Sequence, residues 1–110
     1  MLLLTYAETG PYDSALDLRI DADGAFEAVG GSYVSHRHSR RLDARDLAAL
    51  TSDLAALTSD DARDETTGAV PRDFARVLRW TGGVRRWHGP PPTDAALARV
   101  LARLRDLSAR

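Results

Sequence analysis

From Ala15 to Asp21 the side chains alternate without a break: Leu16, Leu18 and Ile20 fall on one side of an extended chain, Asp17, Arg19 and Asp21 on the other. A period of two with one greasy and one charged side specifies a half-solvated antiparallel strand. Asp21-Ala22-Asp23-Gly24 follows and supplies the turn residues of a hairpin. A two-residue Asp23-Gly24 turn would set Ile20 against Glu27 and waste the apolar face. A three-residue turn with Gly24 in a left-handed conformation sets Ile20 against Phe26 and Leu18 against Ala28. The second register is the one expected, because a one-residue slip sends every side chain to the wrong face.

The remaining elements attach to this hairpin. Leu2, Leu4 and Tyr6 alternate with Leu3, Thr5 and Ala7, which reads as a first strand, with Glu8 to Ser14 as a loop. After Gly30-Gly31, Tyr33 to Arg41 is a further candidate strand. Asp43 is placed to cap a helix, with Asp46 three residues on and Leu42 able to staple to Leu47. Leu47, Leu50, Leu54 and Leu57 then form one apolar stripe. Thr58 to Val70 is polar, acidic and aperiodic, and reads as a loop. Arg72 to Trp80 and Val84 to His88 are two strands around Thr81-Gly82-Gly83; a Gly82-Gly83 turn would set Leu78 opposite Trp87. Gly89 and three prolines stop that sheet. Thr93 is the expected cap of a last helix carrying Leu97, Val100, Leu101, Leu104 and Leu107.

Hairpin-length connections require antiparallel pairing, and two one-sided helices need a single sheet face to lie on. The expected architecture is one α+β domain over residues 1–110: an antiparallel sheet of four to six strands with two helices packed on one face. A chain of 110 residues is one domain's worth and can bury a core without staples.

Composition narrows the chemistry. With no cysteine there are no disulfides, thiolate zinc sites or Cys nucleophiles. All 15 basic residues are arginine, which excludes lysine Schiff bases and the P-loop lysine and fits a GC-rich bacterial genome. A net charge of −1 gives no global attraction to nucleic acid or anionic lipid. The apolar runs, Met1 to Leu4 among them, are no longer than four residues, far short of the ~20 a spanning helix needs. No charged segment leads an apolar stretch, so the expected location is the cytoplasm, away from membranes.

Three groups of residues could carry function. His36 and His38 stand two apart on a candidate strand and point the same way; with His88 they form the one possible histidine metal or small-ligand site. The alternative is a solvated strand end beside Arg40 and Arg41. Arg72, Arg76, Arg79, Arg85 and Arg86, interleaved with Trp80 and Trp87, could stack single-stranded bases, or could be a charged sheet face. Trp80, beside Gly82 and Gly83 in a turn, and Tyr12, in the Gly10-Pro11 loop, are candidate anchors for a protein partner. No nucleophile elbow, paired-carboxylate site or phosphate-binding glycine loop is present, so no enzyme activity and no cofactor are expected.

An N-terminal strand, the loop Glu8-Thr9-Gly10-Pro11, a strand ending in Asp-x-Asp-Gly, a Leu-rich helix, a Gly-Gly hairpin and a proline-led final helix together resemble the emfourin family. Val77 through Leu107, VLRWTGGVRRWHGPPPTDAALARVLARLRDL, carries most of the likeness. Emfourins are small bacterial inhibitors of thermolysin-like zinc metalloproteases. The resemblance lies in turns and core positions and transfers no individual functional residue. It implies a non-enzymatic protein-binding module, a monomer or weak dimer, that inhibits such a metalloprotease by occlusion.

Overall fold

In the computed structural model, residues 2–10, 15–31, 36–57, 75–88 and 94–109 are described. The Glu8–Ser14 loop beyond Gly10, including Tyr12, the expected loop of residues 58–70, and Arg72 and Thr93 lie outside the described residues. Six strands, β1 (Leu2–Thr9), β2 (Ala15–Asp21), β3 (Ala25–Gly31), β4 (His36–Arg41), β5 (Ala75–Trp80) and β6 (Gly83–His88), form one sheet. Two helices accompany them: α1 (Ala44–Ala55) and α2 (Ala95–Ala109). The spatial order is β4-β3-β2-β1-β5-β6, with every neighbouring pair antiparallel.

The first hairpin takes the three-residue register: Ile20 pairs with Phe26 and Leu18 with Ala28. Gly24, at φ +99°, makes the turn and donates its N–H to Asp21 O at 2.9 Å. Cross-strand rows then extend through the sheet. Arg40, Phe26, Ile20, Leu4 and Trp80 share one row, and His38, Ala28, Leu18, Tyr6, Leu78 and Arg85 the next. These rows make the inner face. Against them pack Leu50 and Leu54 of α1 and Leu97, Val100, Leu104 and Leu107 of α2, in one continuous core. Both helices therefore lie on the same side, and each fully buried Leu or Val contributes on the order of 2 kcal/mol.

Three sequence expectations are corrected. β1 continues through Glu8 and Thr9 instead of giving way to a loop at Glu8. Glu8 belongs in the strand because it accepts a hydrogen bond from Tyr6 Oη at 2.8 Å and pairs with Arg76 Nε at 2.7 Å across β5. The second hairpin turns at Thr81-Gly82, so Trp80 pairs with Gly83, and Leu78 faces Arg85 while Trp87 faces Arg76. Trp87 is nonetheless a core residue on the same face as Leu78, 1% exposed. Finally, α2 is capped by Asp94, whose Oδ1 accepts from the N–H groups of Ala96 at 2.9 Å and Leu97 at 3.3 Å. The cap of α1 is as expected: Asp43 Oδ1 accepts from Asp46 N–H at 2.8 Å.

Candidate functional site

Buried polar groups mark either chemistry or architecture, and here they serve α2. Arg85, 5% exposed on the inner face, donates to Asp94 Oδ2 at 3.0 Å and holds the start of α2 to β6. That hydrogen bond draws the Asp94 carboxyl below its ordinary value; burial works the other way, and the two capping N–H groups add to the lowering. Midway along α2, Arg103 pairs with Asp53 of α1. At its far end, Arg40 of β4 reaches across to the Leu107 carbonyl, supplying a cation that the last turn of α2 lacks. The Arg40 guanidinium also lies over the Phe26 ring, 5.3 Å from its centroid. Tyr6 completes the set: burial first, then the Glu8 charge, raises its phenol far above the ordinary tyrosine value.

The histidines are not brought together. His36 and His38 lie on β4 and His88 on β6, the two opposite edges of the sheet. Five strand intervals separate them, about 24 Å, too far for His88 to share an ion with either of the others. His38 packs edge-on against Phe26, ring centroids 6.4 Å apart. Among the described residues no group of three or more His, Asp or Glu could hold a metal ion.

The arginine–tryptophan hairpin is likewise divided. Arg76, Arg85 and Trp87 face inward and are engaged in the ion pairs and core just described, whereas Arg79 and Arg86 face outward. The two tryptophans stand on the inner face, so the outward arginines have no indole beside them on which bases could stack. Among the described residues no helix is long and apolar enough to cross a membrane.

What remains is the end of the sheet around Trp80. The β1–β5 ladder stops at the pair Leu4–Trp80, where β5 turns away into Thr81-Gly82, while β1 continues to Leu2. A bulge between Leu2 and Leu4 displaces Leu3 from the regular alternation. An open pocket of about 230 Å³ lies in the angle, lined by Leu2, Leu3, Leu4 and Thr5 on one side and Arg79, Trp80 and Thr81 on the other. Its lining is mostly apolar. Leu2 is 39% exposed there, the one large hydrophobic residue left open to solvent among the described residues.

Trp80 is partly buried, packed against the core on its inner side. Its indole N–H edge lies against the turn: a Cβ on Gly82 would stand 2.7 Å from Trp80 Nε1. Gly82 is needed for that close approach, and Gly83 opens β6 as the partner of Trp80. Of the residues singled out from sequence, Trp80, Gly82 and Gly83 thus form one local site. Leu2 and Leu3 were missed, though three consecutive leucines at a strand start were the available signal, since alternation cannot place all three inside.

No protein-family model matches the chain, and comparison with curated proteins gives no match.

Proposed function

We propose that the chain is a non-enzymatic module that binds another protein through the Leu2–Trp80 end of its sheet. A thermolysin-like metalloprotease is the partner to test first, on the strength of the emfourin resemblance. The observation that supports this reading is the coincidence of an exposed leucine, a tryptophan and an apolar pocket on a rigid sheet end. The buried charges, by contrast, are paired off in holding α2. An aromatic anchor beside a desolvated pocket is the usual composition of an interface hot spot. The mechanism is occlusion: the turn and the start of β1 seat on the partner and block access to it.

The test is titration of the full chain into thermolysin-like enzymes, including one encoded in the same genome. The expected result is a saturable fall in proteolytic rate, weakened by roughly 30-fold in Trp80→Ala, the size of a hot-spot loss. Because Trp80 touches the core, Leu2→Asp serves as a second variant with the fold intact. Unchanged rates at high excess remove the protease from the proposal. A partner captured from the native host equally well by wild type and both variants removes the site.

A further inference from the structure

The pocket beside Trp80 has a size, a backbone and a charge, and together they specify the chemistry of what enters it. At about 230 Å³ it is smaller than the ~300–1,000 Å³ of cofactor and drug sites. It is larger than the ~150 Å³ that holds a benzene ring in a protein interior. One Leu, Met or Phe side chain fits; a nucleotide does not.

Among the described residues the backbone beside it has no strand partner on the β5 side. Leu2 and Leu3 extend past Leu4, the last residue of β1 to pair with β5, and have only β2 alongside them. An extended segment laid next to Leu2–Leu3 continues the ladder for a residue or two and is held by main-chain hydrogen bonds.

The charge comes from Arg79. It is exposed at the lip of the pocket, and its cross-strand neighbours on the outward face, Thr5 and Val84, carry no carboxylate. Among the described residues it makes no ion pair, in contrast to Arg76, Arg85 and Arg103, each of which has one. Beyond Thr5 in the same row stands Arg19 of β2, flanked on that face by Asp17 and Asp21. A ligand carboxylate is therefore attracted to the β5 side of the pocket, where Arg79 stands.

We propose that this pocket receives one large apolar side chain from an extended, acidic segment of the protein partner, with a carboxylate next to it meeting Arg79. This rests on the protein-binding reading above and adds to it the chemistry of the bound segment.

The experiment uses the ¹⁵N-labelled full chain and three blocked peptides: Ac-Asp-Leu-Asp-amide, Ac-Lys-Leu-Lys-amide and Ac-Asp-Ala-Asp-amide. At low salt the acidic leucine peptide should shift the amides of Leu2–Thr5 and Arg79–Thr81 and the Trp80 indole N–H. The lysine peptide should bind about two- to five-fold more weakly, the range of a single exposed ion pair, and the alanine peptide should give no saturable shift. Arg79→Glu, a surface change, should reverse the order of the two leucine peptides. Shifts located elsewhere, equal binding of the acidic and lysine peptides, or an order that Arg79→Glu leaves in place each overturn the proposal. Those outcomes leave the host-partner capture by wild type against Trp80→Ala standing on its own. If capture fails while the peptides behave as expected, it is the wider function that falls.

Discussion

Two hairpin turns hang from the same end of the sheet, one on either side of the start of β1, and the chain treats them in opposite ways. The β2–β3 turn is fastened down. Gly24 is buried, its carbonyl accepts from Leu42 N–H at 2.8 Å, and Arg41 reaches the Asp23 carbonyl at 3.0 Å. The β5–β6 turn is not fastened in this way: Thr81 and Gly82 are exposed, and Gly82 lies against the Trp80 indole. The second hairpin is instead held through its body, by Arg85 on Asp94 and by Trp87 in the core. A turn tied to the junction between β4 and α1 is part of the scaffold; a turn whose strand is anchored further back is available to touch something else.

Asp94→Ala strikes at that rear anchor and should have the largest effect. It takes the Asp94 carboxylate from the buried Arg85 guanidinium and removes the α2 cap, for a loss of about 2–4 kcal/mol in urea unfolding. The same pair gives a pH signature. A carboxyl held below its ordinary value stabilises the fold above about pH 4 and loses that contribution as pH falls through its depressed value. The gap between wild type and Asp94→Ala should therefore narrow in unfolding curves taken at about pH 3 compared with pH 7.

Gly24→Ala tests the fastened turn. It forces a side chain to adopt φ +99° and brings a Cβ to 3.1 Å from the Leu42 carbonyl oxygen, so about 1–3 kcal/mol should be lost. Gly82→Ala is the matching change in the second turn, where the contact to yield is a side chain. Stability should fall by less than about 1 kcal/mol, while the Trp80 indole N–H resonance moves as the ring is displaced. Equal losses from the two glycine variants would contradict the contrast between the turns. Smallest of all, Arg79→Glu should change stability by no more than about 0.5 kcal/mol, and a larger loss would mean that this guanidinium supports the fold.

The turns also differ in how far they can be read from sequence. At the first, the competing registers differ by one residue, so the apolar face decides between them. At the second, Leu78 opposite Trp87 and Leu78 opposite Arg85 differ by two residues along β6, which leaves every side chain on the same face. Alternation is silent there, and the observed register is the one that delivers Arg85 to Asp94. The cap of α2 follows the same logic, since Thr93 and Asp94 are both good capping residues and a guanidinium nine positions back favours the carboxylate. The α1 cap needed no distant information and was legible.

The residues of the proposed binding site divide in the same way. Trp80 was visible as an aromatic beside a glycine turn. The pocket was not, because it exists only where a longer β1 outlasts β5, a fact of strand alignment. The separation of His38 from His88 was hidden for a related reason: β4 and β6 reach opposite edges because β5 adds to β1, on the far side from β2.

The composition of β4 has a further consequence for behaviour in concentrated solution. This strand ends the sheet, and its run His36-Arg37-His38-Ser39-Arg40-Arg41 contains a single residue that never carries charge. Aligning the same edge from another molecule would oppose guanidinium to guanidinium or imidazole in almost any offset. The border that could seed fibrils is thereby made hostile to its own kind.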